Sequence, residues 1–142
     1  MFRTTVTPRF GDADGLGHIN NVLLPAWFEQ ARNPLFRLFT PDLRLADWRL
    51  ILARIEVEFV RPMRYGSDIE ILTCLLKIGT ASITVGHEAW QDEVLGARGT
   101  AVLVHYDFER SASVPIPPDL RARLEAHRAP EPAAGPHESS PT

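Results

Sequence analysis

The sequence is poor in cysteine, in positive charge and in long apolar runs, and each shortage removes a class of function. Its single cysteine, Cys74, can close no internal disulfide and build no cysteine-rich zinc site. Basic residues number 15 against 18 acidic ones, a formal net charge of −3. That excludes the dense Lys/Arg surface from which nucleic-acid binders draw their affinity. A small anionic ligand stays compatible, because local fields outweigh the sum of charges. No run of about 18 apolar residues occurs, so no helix is expected to span a membrane. The opening stretch, Met1-Phe2-Arg3-Thr4-Thr5-Val6-Thr7-Pro8, lacks the apolar core of a signal peptide. The expected compartment is cytoplasmic, with neither a membrane nor nucleic acid as partner.

What is present suits one domain of ordinary size. The 142 residues are 44% hydrophobic and 23% charged, and a chain of this length buries roughly two thirds of its unfolded surface without staples. Proline is abundant at twelve residues, four of them within 128–142. That last segment has no periodic apolar face with which to offset its ordering entropy. A folded domain over residues 1–127 and a disordered Pro/Ala/Ser-rich tail over 128–142 are therefore expected.

Hydrophobic periodicity places the elements. A first strand is expected over Phe2–Phe10. Leu24, Trp27, Phe28, Ala31, Leu35 and Leu38 recur at three- and four-residue steps and predict a helix over Val22–Phe39. Asn20 or Asn21 suits its N-cap and Pro25 its first turn, whereas Pro34 lies deep enough to interrupt it. The helix is apolar nearly all round, so burial over most of its circumference is expected. Ile51, Ala53, Ile55, Val57 and Phe59 alternate with Arg54, Glu56 and Glu58, a strand with one solvated face. Strands over Ile69–Ile78, Ser82–Trp90 and Gly96–Asp107 follow, and no helical pattern separates the four. They are expected as consecutive antiparallel neighbours, with a short helix over Leu120–His127 at the end. An apolar helix followed by a long antiparallel meander predicts an α+β hotdog fold, a curved sheet of about five strands wrapped around one long central helix. Its exposed edge strands predict a homodimer or homotetramer.

Asp12, Asp14, His18, Asn20 and Asn21 crowd the loop before that helix, among Gly11, Gly15 and Gly17. A helix start offers unpaired N–H groups and a positive dipole end, which stabilise the oxyanion formed when a carbonyl is attacked. A carboxylate feeding that start can act as nucleophile or as base on a water. A carboxylate is a weak base, so a thioester, whose thiolate leaves easily, is a better match than an amide. Turn and cap duties account for such a loop equally well. A metal site is poorly supported, because the candidate ligands have no partner cluster elsewhere. Spacing does not choose between Asp12 and Asp14, which would share a face in an extended segment. His87 and His105 have apolar neighbours and read as packed or hydrogen-bonded rather than catalytic, and Cys74 reads as a small core residue.

The run Phe10-Gly11-Asp12-Ala13-Asp14-Gly15-Leu16-Gly17-His18-Ile19-Asn20-Asn21, followed by Trp27-Phe28-Glu29-Gln30-Ala31-Arg32, closely resembles the acyl-CoA thioesterases of the 4-hydroxybenzoyl-CoA thioesterase family. The resemblance continues through Ala53-Arg54-Ile55-Glu56-Val57-Glu58-Phe59-Val60-Arg61-Pro62 and spans nearly all of residues 3–125. It implies a hydrolase that releases free acid and CoA, with Asp14 as the catalytic carboxylate. It further implies that the backbone N–H of Asn21, seven residues on, is the oxyanion donor. His18-Ile19-Asn20-Asn21 also resembles the His-x-Asn-Asn element of acyl-ACP thioesterases, although Leu16 stands where those place a polar asparagine. His18 is accordingly read first as ordering the loop or touching substrate, beside Gly17 and Asn20. Glu29 is read as an ion-pair partner for a neighbour such as Arg32, or as a bystander.

For the CoA phosphates the resemblance points to Lys77-Ile78-Gly79-Thr80-Ala81-Ser82-Ile83, which carries only one cation. Thr80 and Ser82 are kept as substrate-binding residues. Phosphate contacts are expected instead from Arg61, Arg64, backbone amides or a second subunit. No metal and no cofactor is expected, since CoA is itself part of the substrate. Three other readings stand beside this one: an acyl-ACP thioesterase, a hotdog enoyl-CoA hydratase or dehydratase, and a non-catalytic acyl-CoA-binding module. The hydratase needs an Asp–His spacing that Asp14 and His18 do not have, and the binding module sits poorly with an intact acidic loop.

Overall fold

Period-two alternation builds the sheet. In the computed structural model, which describes residues 1–129, Ile69, Ile71, Thr73 and Leu75 are buried on one face of a strand whose even positions point outward. The five main strands are β1 (Phe2–Val6), β2 (Leu50–Phe59), β3 (Ile69–Ile78), β4 (Ser82–Gln91) and β5 (Val94–Asp107); β2, expected to have one solvated face, instead has only Leu50 buried. A two-residue β6 (Ala112–Ser113) pairs with the end of β5. All pairings are antiparallel, in the order β1-β3-β4-β5-β2. Register shifts at Leu52/Arg54, Leu75/Lys77 and Ala89/Trp90 insert bulges, which bend and twist the ladder. The result is a curled half-barrel around helices, the hotdog architecture.

Two strand expectations are corrected. β2 does not lie beside β3; it crosses over to pair with β5. The connection between β2 and β3 is no hairpin, because Met63 within it is buried against Gly96 of β5 while Val60 and Arg61 both donate to Gly96 O. β1 ends at Val6 rather than Phe10, since Pro8 follows and Phe10–Asp12 winds into a 3-10 turn. The β4–β5 connection is a two-residue turn in which Asp92 and Glu93 both have positive φ, 50° and 64°, as the twist of a hairpin requires.

The helical segment breaks in two. α1 (Leu23–Ala31) and α2 (Asn33–Phe39) meet at Arg32, and Pro34 occupies the first turn of α2, where it needs no N–H partner. α3 (Pro118–Glu125) closes the chain against β3 and α2. Leu24, Phe28, Ala31 and Leu35 form the buried stripe. Burial over most of the circumference does not occur within one chain: Val22 is 68% exposed, Trp27 only half-buried, and Glu29 and Gln30 exposed. Beside the helix, β2 ends the sheet with Ile51, Leu52, Ile55 and Phe59 all exposed. Cys74 is also not in the core. Alternation puts it on the outer face, half-buried, where burial still raises its thiol pKa.

The expected tail at 128–142 falls outside the described residues from 130 onward; Ala129 N–H donates to Leu75 O at 2.8 Å. No helix among the described residues is long and apolar enough to cross a membrane.

Gly99 marks the closest approach of helix and sheet. A Cβ there would stand 2.5 Å from Glu56 O and 3.1 Å from the Phe28 ring, and neither the β2 backbone nor a buried ring can yield cheaply. Gly99→Ala should therefore lower stability by about 1–3 kcal/mol in urea denaturation, and an unchanged midpoint would contradict this packing.

Candidate active site

The acidic loop folds back on itself as a miniature hairpin. Ala13 bridges Ile19, Asp14 N–H donates to His18 O at 2.7 Å, and Asn20 N–H donates to Asp12 O at 2.8 Å. Gly17 makes the tip possible with φ of 79°, a left-handed conformation that side chains disfavour. The hairpin is pinned to the β2–β3 crossover by Ile19 N–H to Met63 O, 2.7 Å, and by a bridge between His18 and Arg64.

The two aspartates, left equivalent by their spacing, are not equivalent in space. The 3-10 turn turns Asp12 inward, where it is buried and accepts from Arg9 N–H at 2.8 Å and from the Arg9 guanidinium at 3.3 Å. The Arg9 backbone hydrogen bond is the main reason its carboxyl sits below the usual carboxylate range. Asp12 is committed to holding the loop. Asp14 is exposed, and its Oδ1 accepts from Leu16 N–H at 2.8 Å and from His18 N–H at 3.2 Å. Its Oδ2 has no partner among the described residues, so one oxygen orients the group and the other faces outward.

Neither Asn20 nor Asn21 caps the helix as expected: the N-cap of α1 is Val22, with no side-chain cap bond, and Asn20 Oδ1 accepts from Val22 N–H at 3.3 Å in a turn just before it. Leu23 and Leu24 N–H donate to Asn20 O and Asn21 O. Asn21 N–H has no acceptor among the described residues, and its residue is exposed. Asp14, Gly17, His18, Asn20 and Asn21 thus belong to one small unit, with Arg61 on the crossover beside it. Thr80 and Ser82 are not brought there. They lie at the turn between β3 and β4, where Ile116 N–H donates to Thr80 O and Arg121 to Gly79 O. The Asp14 loop lies at the opposite end of those ten-residue strands, roughly 30 Å away at a strand's usual rise.

Glu29 forms no ion pair with Arg32. Arg32 turns inward instead, only 2% exposed, and Nη1 donates to His87 Nε2 at 3.3 Å. Arginine can only donate, so Nε2 must be the bare nitrogen and Nδ1–H donates to Thr73 Oγ1 at 3.0 Å. The Phe28 ring stacks on the imidazole, centroids 4.8 Å apart. Arg32 Nε has no partner among the described residues. This buried triad was missed in the sequence, although Arg32 falls on the same helical stripe as Phe28 and Leu35, a position that should have flagged it. Among the described residues no three His, Cys, Asp or Glu side chains converge as metal ligands do.

The architecture and the loop together define an enzyme of thioester chemistry on a hotdog scaffold, and known proteins agree. The sequence profile described as the thioesterase-like superfamily matches residues 8–124. A structure described as a predicted thioesterase from Bacillus stearothermophilus is 42% identical, covers 90% of this chain and 96% of its own, and has a TM-score of 0.88. A thioesterase from Thermus thermophilus, complexed with coenzyme A and Zn, is 30% identical over 88% of this chain and 92% of its own, TM-score 0.79. A thioesterase-superfamily structure from Jannaschia sp. CCS1 is 27% identical over 89% and 82%, TM-score 0.78. Among curated proteins none matches significantly. The chain belongs to the thioesterase-like superfamily and is a thioester hydrolase.

Burial first, and the Arg32 charge second, lower the His87 pKa from 6.5 to about 3. The unfolded chain then binds the proton that the folded chain refuses, so this group's contribution to stability is complete above about pH 6.5 and is lost progressively as pH falls toward 3. The expected loss is about 1.4 kcal/mol per pH unit. His87→Gln keeps an acceptor for Arg32 and a donor for Thr73 but does not titrate. Urea midpoints at about pH 7 and about pH 5 should fall further for the wild type than for the variant. Parallel losses would show that His87 protonates in the folded state.

Proposed function

We propose that the chain hydrolyses an acyl-CoA thioester to free acid and CoA, with Asp14 as general base or nucleophile and the Asn21 N–H as oxyanion donor. The observation that carries this reading is the pairing of two unspent groups in one rigid unit. Asp14 has one carboxylate oxygen fixed by two amides, and among the described residues its other oxygen has no partner and the Asn21 amide, two residues past Ile19, has no acceptor. Asp14 takes a proton from a water whose oxygen bonds to the thioester carbon. Negative charge gathers on the carbonyl oxygen against the Asn21 amide, the C–S bond breaks, and the proton passes to the departing thiolate. In the nucleophilic variant the carboxylate itself forms an anhydride that water then opens.

Gly17 lets the exposed loop tip turn, and the bond from Val22 N–H to Asn20 Oδ1 leaves the Asn21 amide without an acceptor among the described residues. His18 orders the loop through its backbone and borders a groove together with Gly17 and Arg61. CoA as the carrier is supported by the Thermus thermophilus relative, which holds coenzyme A. No separate cofactor is part of the proposal. A homo-oligomer is supported by the apolar side chains of Ile51, Leu52, Ile55 and Phe59 on the free β2 edge.

Asp14→Asn, assayed against a panel of acyl-CoAs with a thiol-trapping reagent, should lower kcat by roughly 10²–10⁴-fold. Equal turnover by the two proteins on every substrate accepted would remove Asp14 from the reaction.

A further inference from the structure

The crossover between β2 and β3 holds its backbone unusually firmly for an exposed connection. Val60 and Arg61 N–H both donate to Gly96 O, at 2.8 and 3.0 Å, and Met63 O accepts from Ile19 N–H at 2.7 Å. Arg64 N–H donates to Gln91 Oε1 at 2.8 Å, while Gln91 Nε2 donates back to Arg64 O at 2.7 Å and to Ser67 O at 2.9 Å. Gln91 is itself buried, and so is Met63, the plug beneath the segment. From this platform the two arginines on either side of Met63 reach into solvent.

Neither the Arg61 nor the Arg64 guanidinium has an ion-pair or side-chain hydrogen-bond partner among the described residues. Most other exposed arginines do have one: Arg3, Arg54 and Arg98, for example, meet Glu70, Glu56 and Glu58. Arg61 and Arg64 border one groove of about 640 Å³ together with Gly17 and His18 of the catalytic loop. The single carboxylate on that groove, Asp92, already accepts from Ser67 Oγ at 2.6 Å. Two like charges three residues apart on a fixed backbone repel each other and gain nothing from the fold. A bound polyanion reverses that balance, because arginine meets phosphate oxygens through short, charge-assisted, two-pronged hydrogen bonds.

We propose that Arg61 and Arg64 form the phosphate subsite for the CoA carrier, placing its phosphates at one end of the groove and its thioester at the Asp14 loop. The inference rests on the thioesterase reading for the identity of the carrier. It answers the lack of cations around Lys77 with a pair already built into the catalytic end of the same chain.

Isothermal titration calorimetry with free CoA and with pantetheine, which lacks every phosphate, tests it on the intact protein without turnover. Wild type should bind CoA at least tenfold more tightly than pantetheine, and added salt should erode that margin. The double variant R61Q/R64Q should bind the two compounds alike. Arg64→Lys should keep part of the margin, and Arg123→Gln, on exposed α3, all of it. Equal affinity of wild type for CoA and pantetheine overturns the proposal, as does an undiminished margin in the double variant. Titration with acyl-carrier protein in place of CoA separates the two phosphate sources, and a larger loss for the carrier protein than for CoA also overturns the assignment. The thioesterase reading fails on a different result, no hydrolysis of any CoA or pantetheine thioester, and that outcome leaves the binding comparison standing.

Discussion

One backbone hydrogen bond, Ile19 N–H to Met63 O at 2.7 Å, joins the two segments that carry the proposed chemistry. On one side is the hairpin holding Asp14, His18 and the approach to Asn21; on the other is the crossover holding Arg61 and Arg64. The tie is firm because Met63 is a buried side chain in an otherwise exposed run, packed where Gly96 leaves room for it. Removing a lone hydrogen bond is worth only about 1 kcal/mol. Here the bond is registered by a plug, so loop and crossover move as one body. That is the condition for a carboxylate to meet a carbonyl held by groups elsewhere on its carrier.

The helix break serves the same end from the interior. Pro34 forbids a continuous helix, and at the junction Arg32 turns inward onto His87 and Thr73. A buried guanidinium without a carboxylate is expensive, and its unpartnered Nε adds about 1–3 kcal/mol. Burial duly lowers the Arg32 pKa, against a smaller opposing influence from Glu29. What the arrangement supplies is direction: the imidazole has one permitted tautomer, and the Phe28 ring stacked on it ties α1 to β4. The acid sensitivity expected of His87 and the anchoring of α1 to the sheet are two consequences of one contact.

The sheet was legible because alternation is a local signal: Ile69 through Leu75 reads as a strand in any context that buries one face. Strand order was not, because it depends on whether Arg61-Pro62-Met63-Arg64 turns back or crosses, and a single methionine in a polar run gives no sign that it is a plug. The loop was legible as a site and the choice of Asp14 came from resemblance. The physical ground for it, a 3-10 turn that rotates Asp12 away toward Arg9, leaves no periodic trace in sequence. Thr80 and Ser82 show the opposite failure. Chain adjacency to Lys77 marked them, but strand length carries them to the far end of the molecule.

That distance has a consequence for the enzyme as a whole. A carboxylate as open to water as Asp14 acts through a screening medium, and thioester hydrolysis gains most from a site closed around its reactants. A single chain supplies the loop, the amide and the two arginines but leaves the outer side of α1 and the neighbouring edge of β2 uncovered, with Val22, Ile51, Leu52 and Ile55 exposed on them. These two surfaces adjoin, since Gly99 brings Phe28 of α1 against the backbone of β2. Covering the apolar edge with a second copy therefore also walls the helix start. One contact with a second copy would meet both the demand for a closed site and the demand to bury an edge strand, which is the physical case for the proposed assembly.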